Sequence, residues 1–211
     1  GKQLGDKLIE RYIQDEGKIP QNIAMLIYGG ETMKTNGDDI AEALYLMGVR
    51  PIWLNNGDRV IGLEVIPYEE LKRPRIDVTL RITGLFRDTF PILIRLLEEA
   101  VNLVSQLDES DDINYIRKNM NEEIAQLLEE GYKLSEAEHM SKMRVFGCPP
   151  GTYGAGVGVL INSKEWETRE DLGKAYINWS SYAYGSSYHG TKVENIFTER
   201  MKKSEITVKN E

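Results

Sequence analysis

RPRIDVTLRITGLFRDTFP, residues 73–91, decides the fold. Its middle, Ile76 to Ile82, is apolar and β-branched, the composition of a strand covered on both faces. Thr83-Gly84 breaks that strand. Phe90, Leu93, Ile94, Leu97, Val101 and Val104 then recur at spacings of three and four, an apolar stripe that predicts a helix lying on the sheet. A strand passing through glycine into an amphipathic helix is the repeating unit of an α/β protein.

The flanks extend the pattern. On the amino side, a helix is predicted over Gln3 to Asp15, with Leu4, Leu8, Ile9, Tyr12 and Ile13 on one face and Gly17 as its stop. IAMLIYGG (Ile23 to Gly30) reads as a buried strand and ETMKTNG as a polar loop. A helix capped by Asp38 or Asp39 follows and closes at Gly48. VRPIWLNN reads as a second strand, Asn56-Gly57-Asp58 as a turn, and Arg59 to Pro67 as an extended segment. On the carboxyl side, polar helices are expected between Asp112 and Met143 with a break at Gly131. RVFG (Arg144 to Gly147) is a strand, followed by the glycine-rich PPGTYGAGVGV and a helix to about Ser163. Helices are expected over Leu172 to Tyr182 and Val193 to Met201, and EITVK is a closing strand. Alternating strands and helices predict a mostly parallel sheet of about five strands with helices on both faces, flavodoxin- or Rossmann-like. Additional helices fall in 108–143 and 159–201. No linker divides the chain, so residues 1–211 are read as one α/β domain, and the character of both ends suggests a section of a longer polypeptide.

Composition narrows the function. The formal net charge of -8 argues against a general nucleic-acid binder, which needs a basic face. No apolar run reaches the roughly 20 residues of a membrane span. The one cysteine, Cys148, cannot form an internal disulfide, which fits a reducing, cytoplasmic setting.

In open α/β sheets ligands sit at the carboxyl ends of the strands, where Arg81-Ile-Thr-Gly-Leu-Phe-Arg-Asp88 falls. Backbone N–H groups at the start of the next helix favour an anion. Arg87 offers a forked guanidinium for a carboxylate, and Phe86 a flat apolar surface. Together they would suit a planar, carboxylated ligand. The plainer alternative places Phe86 in the core and leaves Arg87 and Asp88 solvated in a first turn.

RPRIDVTLRITGLFRDTFP resembles, almost residue for residue, a pattern of the cobaltochelatase and magnesium chelatase family: RPRIDV, a strand, then S/T-G-x-F-R-D. ETMKTNGDDIAEALYLMGVRPIW (Glu31 to Trp53) is similar to that family's E-T-M-x-x-x-G and L-x-x-x-G-V-R-P segments. RVFGCPPGTYGAG and INWSSYAYG (Ile177 to Gly185) resemble the cobalt-type branch more than the magnesium-type branch. The resemblance spans essentially the whole chain and is to the large, tetrapyrrole-binding subunit. It implies insertion of Co²⁺ as substrate into a corrin precursor, or, in the alternative branch, Mg²⁺ into protoporphyrin IX. It also implies ATP hydrolysis in partner subunits of the AAA+ and von Willebrand types, with the remainder of the large subunit as a further partner. The tetrapyrrole contacts it suggests are Arg81, Phe86, Arg87, Asp88, Tyr153 and Glu31, forming one wall of a cleft. The family's H-G-T-H-G metal motif has no match: His189, in Tyr188-His189-Gly190-Thr191, lacks the second histidine. No catalytic or metal-ligating residue is therefore assigned, and the chain alone is not expected to chelate metal. A third reading, a non-catalytic α/β scaffold, stays open.

Other signals are weaker. Gly154-Ala-Gly156-Val-Gly158 lacks the full G-x-G-x-x-G and any G-K-[ST], so a plain glycine turn is favoured over a nucleotide loop. Glu136-Ala-Glu-His139 has E-x-x-H spacing but too few ligands for a metal. Cys148 reads as a packed residue. Tyr176, Trp179, Tyr182, Tyr184 and Tyr188 read first as core, with docking to the rest of the large subunit as the alternative.

Overall fold

The computed structural model describes residues 1–54, 57 and 59–210. The chain runs α1 (Lys2–Glu16), β1 (Asn22–Ile27), α2 (Gly29–Thr35), α3 (Asp38–Met47), β2 (Val49–Trp53) and β3 (Val60–Val65). It continues through α4 (Tyr68–Leu71), β4 (Asp77–Ile82), α5 (Gly84–Thr89), α6 (Pro91–Ser105), α7 (Tyr115–Glu129), α8 (Leu134–Ser141) and β5 (Val145–Gly147). The last elements are α9 (Val157–Ser163), α10 (Arg169–Ser180), β6 (Tyr182–Tyr184), β7 (His189–Lys192), α11 (Glu194–Lys203) and β8 (Ile206–Val208).

Six strands form the main sheet in the order β7-β6-β5-β4-β1-β8. The β5-β4, β4-β1 and β1-β8 pairs are parallel, while β6 and β7 add an antiparallel margin. β4 is buried along its whole length, as its composition predicts. Alternate residues of the short β5 serve two cores. Val145 joins the cluster of Ile23, Val78, Leu80, Leu97 and Val101, whereas Phe146 joins Phe197, Ile196 and Val193 of the other face. Helices therefore cover both sides of the sheet.

Four expectations change. VRPIW does not enter the sheet; β2 pairs antiparallel with β3 as a separate hairpin. A central strand must be apolar on both faces and donate every N–H, and Arg50 and Pro51 prevent both. The segment expected as a polar loop after Tyr28 is α2. Gly29 matters there because a Cβ would meet the Phe86 backbone nitrogen at 2.8 Å, so its glycine lets α2 pack onto α5. Neither Asp38 nor Asp39 caps α3; Gly37 stands at the cap and both acids lie in the first turn. Finally, α10 ends at Ser180, and Tyr182, expected to close that helix, opens strand β6 (Tyr182–Tyr184), with β7 beyond it. The stops at Gly17 and Gly48 hold, each left-handed at φ 72° and 79°. The turn expected at Asn56-Gly57-Asp58 lies outside the described residues apart from Gly57. Among the described residues, no helix is long and apolar enough to cross a membrane.

Candidate functional site

The carboxyl ends of β1, β4 and β5 lie side by side and pass into α2, α5 and the loop from Cys148 to Gly156. Gly84 sets the closeness of that meeting: a Cβ there would stand 2.7 Å from both the Thr152 carbonyl oxygen and the Tyr153 ring. Its role is close approach of two backbones rather than a positive φ.

Arg87 is 3% exposed and does not face solvent as an open fork. Its Nη1 donates to the carbonyls of Pro149 at 2.9 Å and Thr152 at 3.2 Å. Nε and Nη2 donate to the two Asp88 oxygens at 2.6 and 2.9 Å. The guanidinium is near the rings of both Tyr153 and Tyr184, 5.7 and 5.8 Å from their centres. Arg81 is likewise buried, its Nη2 donating to the Gly154 carbonyl at 2.7 Å and its Nε facing the Ser180 hydroxyl at 3.4 Å. Two buried arginines thus hold the glycine-rich loop by its carbonyls. A phosphate cradle needs inward N–H groups instead, which agrees with the plain-turn reading of Gly154 and Gly156.

Phe86 corrects the expectation of a flat exposed surface. It is wholly buried and packs on Phe90, ring centres 5.4 Å apart, as the plainer alternative had it. At the head of the following helix one donor of the expected anion site is taken: the Thr83 hydroxyl accepts from the N–H of Phe86 at 3.3 Å, and from that of Gly29 in α2 at 3.2 Å.

Asp88 and Tyr153 are the groups left at the surface. Tyr153 is 63% exposed, and its hydroxyl donates to Asp88 Oδ2 at 2.8 Å. The Arg87 hydrogen bonds hold the Asp88 carboxyl below the usual range, with help from Tyr153 and His189, so it is ionised at neutral pH. Tyr153 is pushed up by donating to that carboxylate and stays a phenol. Glu31 stands in the first turn of α2, paired with Lys34 at 2.7 Å. Sequence reasoning missed Tyr28 and Leu85, which stay 39% and 45% exposed directly after β1 and β4. Their position one and three residues beyond a buried strand was the available signal.

The remaining candidates resolve as structure. Glu136 accepts from the Lys133 N–H at 3.0 Å at the head of α8, and His139 rests edge-on against Tyr188, so E-x-x-H serves a helix start. Cys148 is buried, with its thiol on the Thr152 carbonyl at 3.1 Å. Tyr184 and Tyr188 are core, while Tyr176, Trp179 and Tyr182 are half-buried. Among the described residues no three of His, Cys, Asp and Glu are grouped to hold a metal.

The chain is thus a mostly parallel α/β sheet carrying an ionised, tyrosine-flanked carboxylate at its strand ends. The CobN/Magnesium Chelatase family profile matches residues 1–211, and the chain belongs to that family. It is 51% identical over 211 residues, all of this chain and 17% of the relative, to an uncharacterized protein of Methanocaldococcus jannaschii. It is 44% identical over its whole length, 16% of the relative, to the aerobic cobaltochelatase subunit CobN of Sinorhizobium sp. Among solved structures, the catalytic subunit of cobaltochelatase from Mycobacterium tuberculosis superposes with a TM-score of 0.90 at 39% identity. That match covers 99% of this chain and 17% of the other. The chain therefore spans about a sixth of the length of the relatives it matches.

Proposed function

We propose that this chain is a section of the large subunit of an ATP-dependent cobaltochelatase acting in the cytoplasm, and that it forms one wall of the cleft holding a corrin precursor during Co²⁺ insertion. ATP would be hydrolysed by separate AAA+ subunits working with a von Willebrand-type subunit, not by this chain. The observation that carries the reading is the Asp88 carboxylate, kept ionised by Arg87 and presented beside the exposed Tyr153 ring at the strand ends.

The chemistry follows from that arrangement. A carboxylate held ionised in this way is a poor acceptor for a pyrrolic proton but keeps its negative charge for an incoming divalent cation. Asp88 would draw the incoming metal ion toward the macrocycle face. Tyr153, with Leu85 and Tyr28, would supply apolar and aromatic surface for the ring. Arg81 and Arg87 act as positioning residues, because both are spent on the loop that carries Tyr153. The relatives named CobN and the YGAG and YAYG stretches favour the cobalt branch. Magnesium insertion into protoporphyrin IX is the alternative, since the family takes in both.

The test is a titration of the full-length protein with a corrin precursor and, separately, with protoporphyrin IX. Tighter corrin binding supports the cobalt reading, and tighter porphyrin binding the magnesium one. Binding of neither would leave the scaffold reading. Arg87→Ala should weaken whichever binds by about tenfold, through a loosened Tyr153 loop; unchanged binding would remove this loop from the cleft.

A further inference from the structure

Beside Arg87, on the side of Tyr184 rather than Tyr153, an open cavity of about 590 Å³ lies between the start of α6 and the β6–β7 turn. Pro91 and Ile94 contribute its apolar lining. Arg95, Ser186, Ser187 and His189 contribute its polar groups. Two acids lie nearby, each held by a hydrogen-bond donor. Asp88 is bound by Arg87 and Tyr153, and Glu98 accepts the Ser186 N–H at 2.7 Å. His189 stands edge-on to Tyr184, ring centres 5.2 Å apart, and its field reaches Asp88. Arg95 is exposed, and among the described residues no acid pairs with it. The cavity therefore carries one unmatched cation, two serine hydroxyls and a histidine, a donor set suited to a single carboxylate or phosphate.

Its place selects between those. Arg87 and Tyr184 line the cavity, and the Arg87 guanidinium is 5.7 Å from the Tyr153 ring centre and 5.8 Å from that of Tyr184. A flat ring lying on Tyr153 would bring substituents on its rim to the mouth of this cavity. We infer that the cavity between α6 and the β6–β7 turn receives a peripheral carboxylate of the bound macrocycle, with Arg95 as its cationic partner. The inference rests on the tetrapyrrole reading and adds to it a specificity-determining residue: Arg95 fixes the rotation of the ring over Asp88.

The experiment uses the full-length protein and the macrocycle that binds more tightly in the comparison above, as the free acid and as the full methyl ester. Wild-type protein should prefer the acid by about fivefold, and Arg95→Ala should abolish that preference while leaving ester affinity unchanged. Because no described residue pairs with the exposed Arg95, the variant should fold normally, and Arg95→Lys should restore part of the preference. A preference that survives Arg95→Ala, or an equal loss for acid and ester, would overturn the assignment. Arg95-dependent binding of inorganic phosphate without discrimination between acid and ester would move the site to a free anion, and overturn it too. Failure of wild-type protein to bind either form would instead bring down the tetrapyrrole reading itself.

Discussion

At the amino end of the sheet, Asp77, Glu123, Arg144 and Arg200 close on one another with almost no exposure; at the carboxyl end, Arg81 and Arg87 reach backbone carbonyls and Asp88 stays partly open. Arg144 makes a two-pronged contact with Asp77 at 2.6 and 3.0 Å, and Arg200 meets Glu123 at 2.6 Å. Asn119 adds a donor to Asp77 at 2.9 Å. Every charge there is answered by another side chain, so the cluster can only hold structure. At the other end the arginines answer carbonyls, which carry no net charge, and the carboxylate answered by Arg87 keeps a face toward solvent. A ligand can act at the second end because the first consumes its own charges. Charged side chains are numerous at both ends, and what separates them is whether the paired carboxylate stays exposed, as Asp88 does and Asp77 does not.

The comparison breaks most visibly at Asp77. Asp77→Asn keeps the shape but leaves Arg144 and Arg200 buried without their carboxylate. A loss of about 3–5 kcal/mol is expected, since an uncompensated buried charge is among the costliest single defects. Urea denaturation measures it. A loss below about 1 kcal/mol would mean the cluster is hydrated in solution and the contrast between the two ends is not real.

A smaller effect lies in pH. Burial pushes the Glu123 carboxyl up to about 7 from its ordinary 4.5, the nearby Arg144 opposing the shift and Asp77 adding to it. Between those values the native protein holds a proton that the unfolded chain has released. The contribution of this group is therefore full below about pH 4.5 and is lost as pH rises through about 7. Wild-type protein should lose on the order of 1–3 kcal/mol from this group across that window, and Glu123→Gln, which cannot ionise, should not. Denaturation midpoints of the two proteins at the ends of the window decide it; parallel curves would show that Glu123 is ionised throughout in the fold.

Much of this architecture was legible in the chain, and the exceptions share a cause. Ile76 to Ile82 and the stripe from Phe90 to Val104 were readable because burial on a sheet and on a helix face leaves distinct periods. VRPIW had strand composition and became a strand, yet Arg50 and Pro51 already barred it from the sheet centre. The site was read less well. Phe86 and Arg87 stand at the right place in the sequence, but their direction depended on Gly84, which admits the Tyr153 loop across them, 65 residues from Asp88 along the chain. A contact between segments so far apart leaves no local period. Asp88 and Tyr153 were named individually, and only the fold shows that they touch.

Tyr153→Phe sharpens the comparison with the least disturbance. The ring is mostly exposed and its hydroxyl meets only Asp88, so the denaturation midpoint should not move measurably. Ring contact is kept and one donor to the carboxylate is removed, which should let the Asp88 pKa rise slightly and free Oδ2 for a cation. In the full-length protein, macrocycle affinity should stay within about twofold while the apparent affinity for the metal substrate rises about two- to threefold. The reverse pattern, a loss of macrocycle binding with metal dependence untouched, would make Tyr153 a ring contact alone and separate Asp88 from the metal. At the amino end no single hydroxyl could produce either outcome, because removing a buried donor there would register first as lost stability.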